Sequence, residues 1–222
     1  MGIMVQISEL SYASPQKEPI FSDFHLRVER GSLLCLVGEA GVGKTLLLSL
    51  LCREQWPTRG QILVAGRNIV RLSPEHFQRL RYQIGVVPQR PQPPLQRTLT
   101  ALLRFRLRAL DCPTAELEPR INGTLRAVGL SAQRDRSPAE LTPGERRVFQ
   151  LALALSSDPL LLLFDDPTSG LSPAEGRQVL ETLRQMQQRR RLTVLATSRL
   201  SKTAELLDAP LVELPAPPRA GR

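Results

Sequence analysis

Aromatic residues, lysines, cysteines and long apolar runs are all scarce in this chain, and each shortage excludes something. Aromatics make up 4 % of the 222 residues against 41 % apolar residues overall. The core must therefore be built from Leu, Val, Ile and Ala. Three cysteines, Cys35, Cys52 and Cys112, are odd in number and widely spaced. That argues against a disulfide framework and gives little support to a metal site, so reduced thiols are expected. The longest largely apolar runs, near 46–51 and 160–164, hold about five or six residues, and a membrane span needs roughly 20. MGIMVQISEL at the N-terminus alternates like a strand and lacks the basic and apolar regions of a secretion signal, so the protein is expected to be cytosolic.

The charge balance is lopsided. Only Lys17, Lys44 and Lys202 among the 30 basic residues are lysines, and the net charge is +9. Such an arginine bias reflects genome composition more than chemistry, although the charge itself allows attraction to anionic lipid headgroups, nucleic acid or an acidic partner. Arg189-Arg190-Arg191 ends a helical pattern, where cations meet the helix dipole favourably.

Against these shortages stands one dense motif. Residues 38–45 read GEAGVGKT and match G-x-x-x-x-G-K-[ST] at every fixed position. Glycines at this spacing let backbone N–H groups crowd around phosphates. Lys44 brings a positive charge, and the Thr45 hydroxyl can ligate Mg²⁺. An apolar, strand-like run (33–37) precedes the loop and a helical pattern (44–53) follows it, which is the context the motif requires.

A second constellation reads LLLLFDDPT at 160–168. Four leucines and a Phe make a central strand with two acids at its C-terminal end, where ligands of such sheets bind. Asp165 is thereby placed to hold Mg²⁺ through water, and Asp166 to face an attacking water. Just upstream, LTPGE at 141–145 opens an apolar helix. Thr142 and Glu145 have capping-box spacing, and a helix N-terminus is also an anion site.

Strands are expected at 3–10, 20–29, 33–37, 61–64, 84–87, 160–165 and 192–197, with helices from 44, 73, 173 and 201. RPQPP at 90–94 is expected to be an extended surface loop. Alternating strands and helices imply an α/β fold with a mostly parallel sheet covered on both faces. The stretch 97–155 is helical, broken near Cys112-Pro113 and Arg136-Ser137-Pro138. It is expected to form a helical subdomain inserted into a single domain spanning 1–214, with a disordered tail at 215–222.

The order of phosphate loop, Gln89, LTPGE, FDDPT and a strand ending in Thr197 resembles the ATP-binding subunit of ABC transporters over roughly residues 3–207. The resemblance implies a P-loop NTPase (RecA-like) core, an N-terminal antiparallel β subdomain and the helical insertion. It implies ATP and Mg²⁺ as ligands, with Gly38, Glu39, Ala40, Gly41, Val42, Gly43, Lys44, Thr45 and Leu46 around the phosphates. Tyr12 falls at the adenine-stacking position. Gln89 falls at the loop that touches Mg²⁺ and faces the membrane partner, so that Thr45, Gln89 and Asp165 would serve the metal. Thr142 and Gly144 stand in the family's signature and would reach ATP from a partner subunit. Asp166 stands for the general base, and Ser198 for the switch histidine.

Several positions depart from the family pattern. Asp166 replaces the usual Glu, and Ser198 cannot carry a positive charge. Pro143 replaces the first signature glycine, Ser172 an aspartate, and Leu46 a second hydroxyl. These changes imply ATP binding with slow hydrolysis. The segments GRNIVRL (66–72) and RLRYQIGVVPQ (79–89) look most like the cell-division group, FtsE, with lipoprotein-release and macrolide-export subunits as alternatives. The resemblance implies a peripheral place for this chain on the cytoplasmic face of the inner membrane, with an FtsX-like integral membrane subunit and a second copy or a sister subunit as partners. A non-hydrolysing, ATP-dependent scaffold is the alternative of another class, and no nucleic-acid partner is expected.

Overall fold

A computed structural model describes residues 2–15, 19–90 and 96–215. The expected loop at 90–94, Arg90 excepted, and the expected tail beyond Pro215 lie outside the described residues. Two sheets organise the chain. The first is antiparallel and joins β1 (Ile3–Ala13), β2 (Pro19–Glu29), β4 (Arg59–Val64) and β5 (Arg67–Asn68) in the order β2-β1-β4-β5. The second is parallel throughout. It joins β3 (Leu33–Val37), β6 (Ile84–Val87), β7 (Leu161–Phe164), β8 (Thr193–Ser198) and β9 (Leu211–Glu213) in the order β6-β7-β8-β3-β9.

The parallel strands are apolar because helices and the first sheet cover both of their faces. Every residue of β3 and β7 is buried. Successive side chains alternate between two cores. Leu161 and Leu163 of β7 pack toward the antiparallel sheet and α1 (Lys44–Leu51), with Ile7, Leu47 and Ile62. Leu162 and Phe164 pack toward the opposite side.

On that opposite side lie α3 (Leu99–Arg108), α4 (Thr114–Ala127), α5 (Pro143–Leu155) and α6 (Pro173–Arg190). The break at Cys112-Pro113 falls between α3 and α4. After α4 the chain leaves the helix at Gly129, whose φ of +76° suits glycine, and makes two short 3₁₀ turns before α5. Phe149 on α5 is fully buried in the cluster that also holds Leu103, Ile121, Phe164 and Leu183. The helical insertion is thus welded to the sheet through α5 rather than held apart from it.

Helix starts follow the local chemistry. Ser73 caps α2 (Pro74–Arg81), accepting from the His76 N–H at 3.5 Å. Thr142 and Glu145 form the expected capping box of α5, at 3.2 and 3.0 Å. Ser172 and Glu175 build a second box at α6. The last helix, α7 (Ser201–Leu207), leads into β9. Neither β5 nor β9 is signalled by the sequence: each is two or three residues long, and β9 is half exposed at an edge, so no period-2 pattern can develop. Among the described residues, no helix is long and apolar enough to cross a membrane.

Candidate functional site

The phosphate-loop motif follows β3 and ends in the N-terminus of α1. Gly41 and Gly43 have φ of +86° and +100°, a region side chains rarely adopt. At Gly43 a Cβ would also lie 2.7 Å from Phe21 Cζ and 2.9 Å from Ile20 Cγ2. The helix has no side-chain cap bond and no acid in its first turn. Its first amides lack intrahelical acceptors, so the dipole and the free N–H groups suit an anion. Lys44 Nζ donates to the carbonyls of Gly38 (2.5 Å) and Glu39 (2.6 Å). Burial lowers its pKa, and the Arg199 charge adds to this, while Asp166 and Asp165 pull the other way.

The two acids at the end of β7 meet this loop. Asp165 is 5 % and Asp166 9 % exposed. Asp165 accepts from Thr45 Oγ1 at 2.8 Å and from Thr197 Oγ1 at 2.5 Å. The Asp166 N–H donates to Thr197 Oγ1 at 3.0 Å. Gln89 Nε2 donates to Asp166 Oδ2 at 3.2 Å and to Ser169 Oγ at 3.4 Å. Burial raises the Asp166 pKa. Arg199 opposes that rise, Asp165 adds to it, and Arg147 and the Gln89 bond oppose it.

Together these groups enclose a cavity of about 300 Å³. Ala40, Gly41, Gly43, Lys44, Thr45 and Leu46 form one wall, Gln89, Asp165 and Asp166 the facing one, with Ile20 and Arg199 at the margins. The donor set fits Mg²⁺. A hydroxyl and a carboxylate oxygen sit 2.8 Å apart, and hard oxygens are what this ion takes. No group of three His, Cys, Asp or Glu that could hold a metal exists among the described residues. Phosphates and water would have to complete the shell, as is usual for Mg²⁺.

Other expected residues lie outside this cavity. The Tyr12 hydroxyl donates to Gln55 Oε1 at 3.2 Å, and Tyr12 pairs across the β1–β2 ladder with Phe21, the neighbour of cavity-lining Ile20. The Val42 side chain is buried in the core, while Gly38 and Glu39 contribute carbonyls to Lys44. Thr142 and Gly144 sit at the start of α5, away from the loop. Thr142 Oγ1 is engaged in its cap, and the Gly144 N–H donates to Glu175 Oε1 at 3.0 Å. Pro143, having no N–H, occupies the first turn.

Ser198 is turned away from the cavity. Its hydroxyl is buried and bonds Thr203 Oγ1 on α7 at 2.8 Å, while accepting from the Leu200 N–H at 3.0 Å. It therefore faces α7 and the turn after β8 rather than the cavity. The next residue, Arg199, lines the cavity instead.

Arg147 is a further residue that the motif reading missed. It is 5 % exposed and lies 4.8 Å over the Phe164 ring. Its guanidinium donates to the carbonyls of Asp165 (2.5 Å), Asp166 (2.9 Å) and Pro88 (2.7 Å), and to Gln150 Oε1 (3.2 Å). One side chain thus ties α5 to the backbone of both acids and to the segment carrying Gln89. Burial lowers its pKa to about 10, so it stays charged at neutral pH.

Two outcomes follow for stability. Arg147→Leu leaves the buried carbonyls of Asp165 and Asp166 without this donor, at a cost of about 3 kcal/mol. For a domain of this size that lowers Tm by roughly 6–12 °C, which a thermal melt reads; an unchanged Tm contradicts the clamp. Asp166 has a raised folded pKa, so the folded state holds a proton between the ordinary aspartate value and the raised one, where the unfolded chain does not. Stability from this group therefore falls as pH rises through that window. In metal-free protein, Asp166→Asn should raise Tm at neutral pH, and the gain should shrink as the pH falls through the window. A Tm change of the same size at every pH contradicts this.

Comparison with known proteins agrees with this geometry. Residues 21–169 match the ABC transporter family. The chain is 32 % identical to the methionine import ATP-binding protein MetN 3 of Pectobacterium atrosepticum over 195 residues, covering 86 % of this chain and 57 % of that protein. It is 36 % identical to MetN 1 of Rhodopseudomonas palustris over 173 residues, covering 78 % and 46 %. It spans about half the length of the curated relatives it matches. Among solved structures, CbiO1 of Clostridium perfringens, part of the CbiONQ ABC transporter complex, shares the fold with a TM-score of 0.84 at 24 % identity, over 90 % of this chain and 80 % of that one. An ATP-binding subunit of an ABC transporter gives 0.77 at 25 % identity, over 95 % and 85 %. With its phosphate loop and paired aspartates closing on one cavity, the chain belongs to the ABC transporter ATP-binding family.

Proposed function

We propose that this chain binds Mg²⁺–ATP in the cavity between residues 40–46 and Asp165-Asp166. We further propose that it pairs with a second ATP-binding subunit, a like copy or a sister chain, and couples closure of that pair to an integral membrane permease on the cytoplasmic face of the inner membrane. The observation that carries the reading is the 2.8 Å bond between Thr45 and Asp165, which joins the phosphate-binding and acidic elements at one point. Lys44 meets the phosphates, Thr45 and Asp165 hold the ion, and Asp166 accepts the proton of the attacking water. When bound, Mg²⁺ supplies charge neutralisation at the transferring phosphate.

The names of the relatives, methionine import proteins, support a permease of the import type as partner. The FtsX-like partner of the cell-division reading has narrower support. It rests on 66–72 and 79–89, and these segments build β5, the end of α2 and β6, scaffolding that positions Gln89 whichever partner is used.

A second reading is an ATP-dependent scaffold that turns over little. One observation favours it: the Ser198 hydroxyl is engaged by Thr203 Oγ1 and the Leu200 N–H, so it brings no donor to the cavity for turnover.

Calorimetry with Mg²⁺–ATP tests the main proposal. The wild type should bind, and Lys44→Ala should weaken binding about 10- to 100-fold, the size expected for a charged hydrogen-bond donor. Absence of heat from natively folded wild type contradicts ATP binding. Cell-based complementation separates the two readings. Loss of function in both Lys44→Ala and Asp166→Ala supports the cycling ATPase, whereas survival of Asp166→Ala alone supports the scaffold.

A further inference from the structure

The turn after β8 brings a second cation to the phosphate cavity. Arg199 lines it beside Lys44, Gln89, Asp165 and Asp166. Its charge is felt by both ends of the site: it lies within electrostatic reach of the Lys44 ammonium and of the Asp166 carboxylate. Yet among the described residues Arg199 makes no hydrogen bond or ion pair, and it is exposed. A solvent-facing guanidinium that hydrogen-bonds neither of the two carboxylates lining the same cavity is available to a ligand.

The local backbone explains its position. Ser198 ends β8 and is buried. Its Oγ accepts from the Leu200 N–H at 3.0 Å and meets Thr203 Oγ1 at 2.8 Å. That side-chain-to-backbone bond closes a tight turn around Arg199. The Ser198 carbonyl accepts from the Gly38 N–H at 3.3 Å, so the turn is also tied directly to the first residue of the phosphate loop. Ser198 thereby acts as a positioning residue, and Arg199 is the group it presents.

The charges of the cavity indicate which part of a nucleotide Arg199 meets. Lys44 is held on two loop carbonyls, and Asp165 is engaged by two hydroxyls. Gln89 and Asp166 mark the end where a reacting water would stand, while Ile20, from the antiparallel sheet, marks another margin. Arg199 has Asp166 and Lys44 as its charged neighbours and so belongs with the reacting end. Planar, forked and permanently charged, guanidinium matches phosphate oxygens in a way a serine hydroxyl cannot.

We propose that Arg199 is a catalytic residue of this site, its guanidinium contacting the terminal phosphate of ATP and supplying in cis the cationic donor that Ser198 does not. This inference rests on the ATP-binding reading given above. In hydrolysis the water oxygen bonds to the γ-phosphorus while the bond to the β–γ bridging oxygen breaks, its electron pair leaving with ADP. The water proton passes to Asp166. Arg199 exchanges no proton; it stabilises the charge spread over the phosphoryl oxygens as the group transfers.

The test compares wild type, Arg199→Ala and Arg199→Lys by titration with Mg²⁺–ATP and with Mg²⁺–ADP, with thermal melts to verify folding. Arg199→Ala should weaken ATP about 10- to 100-fold and leave ADP within about twofold, because only ATP presents the terminal phosphate. Arg199→Lys should fall between. Single-turnover hydrolysis in Arg199→Ala should drop about 10²- to 10³-fold, the scale for one lost charge-stabilising donor. If ATP affinity is unchanged, or ATP and ADP weaken equally in folded protein, Arg199 only balances the aspartates and the proposal is overturned while ATP binding stands. If folded wild type binds neither nucleotide, the ATP-binding reading fails and takes this inference with it.

Discussion

One carboxylate holds the site together. Asp165 accepts from Thr45 on the phosphate loop and from Thr197 on β8, at 2.8 and 2.5 Å. It thereby fixes three consecutive pieces of the parallel sheet, β7, β8 and the loop after β3, at their carboxyl ends. Asp166 is drawn into the same knot through its own N–H on Thr197. Behind these contacts Arg147 grips the carbonyls of both aspartates and of Pro88.

The binding and reacting halves of this machinery are differently preserved. In the proposed function, Lys44, Thr45, Asp165 and the glycines would take a phosphate and its metal. The proposed reacting half would have an aspartate one methylene shorter than glutamate, a serine turned toward α7, and a signature-position amide occupied by Glu175. A positioned base contributes about 10²- to 10⁴-fold and a charged donor about 10²- to 10³-fold. These factors act as a unit and do not multiply. Asp166 is buried and hydrogen-bonded by Gln89, so it retains the surroundings of a base. What hydrolysis needs besides is a cation at the terminal phosphate.

Much of this was legible in the residues alone, for identifiable reasons. GEAGVGKT and FDDPT are dense motifs whose spacing and flanks dictate where they fold. The capping boxes at Thr142–Glu145, Ser172–Glu175 and Ser137–Glu140 are local, so four residues suffice to form each. Long-range relations were less visible. Arg147 is one of 27 arginines, and little near it in the chain marks it as the buried one, because its partners, Gln150 apart, are backbone carbonyls 18 to 59 residues away. Ser198 stands at a position the family uses, but a hydroxyl two residues before an N–H bonds it locally, and Arg199 lines the cavity instead. The short edge strands β5 and β9 form because a neighbouring strand offers its free edge, a condition invisible in two or three residues.

All of this depends on a triphosphate and its ion meeting at Thr45 and Asp165, and one titration reaches that point. ATP affinity would be measured for wild type and Thr45→Ala, each with Mg²⁺ and with a chelator. Wild type should bind ATP more tightly with Mg²⁺, and Thr45→Ala should lose most of that gain while keeping its metal-free affinity. An equal Mg²⁺ effect in the two folded proteins, or none in either, would contradict the placement of the ion.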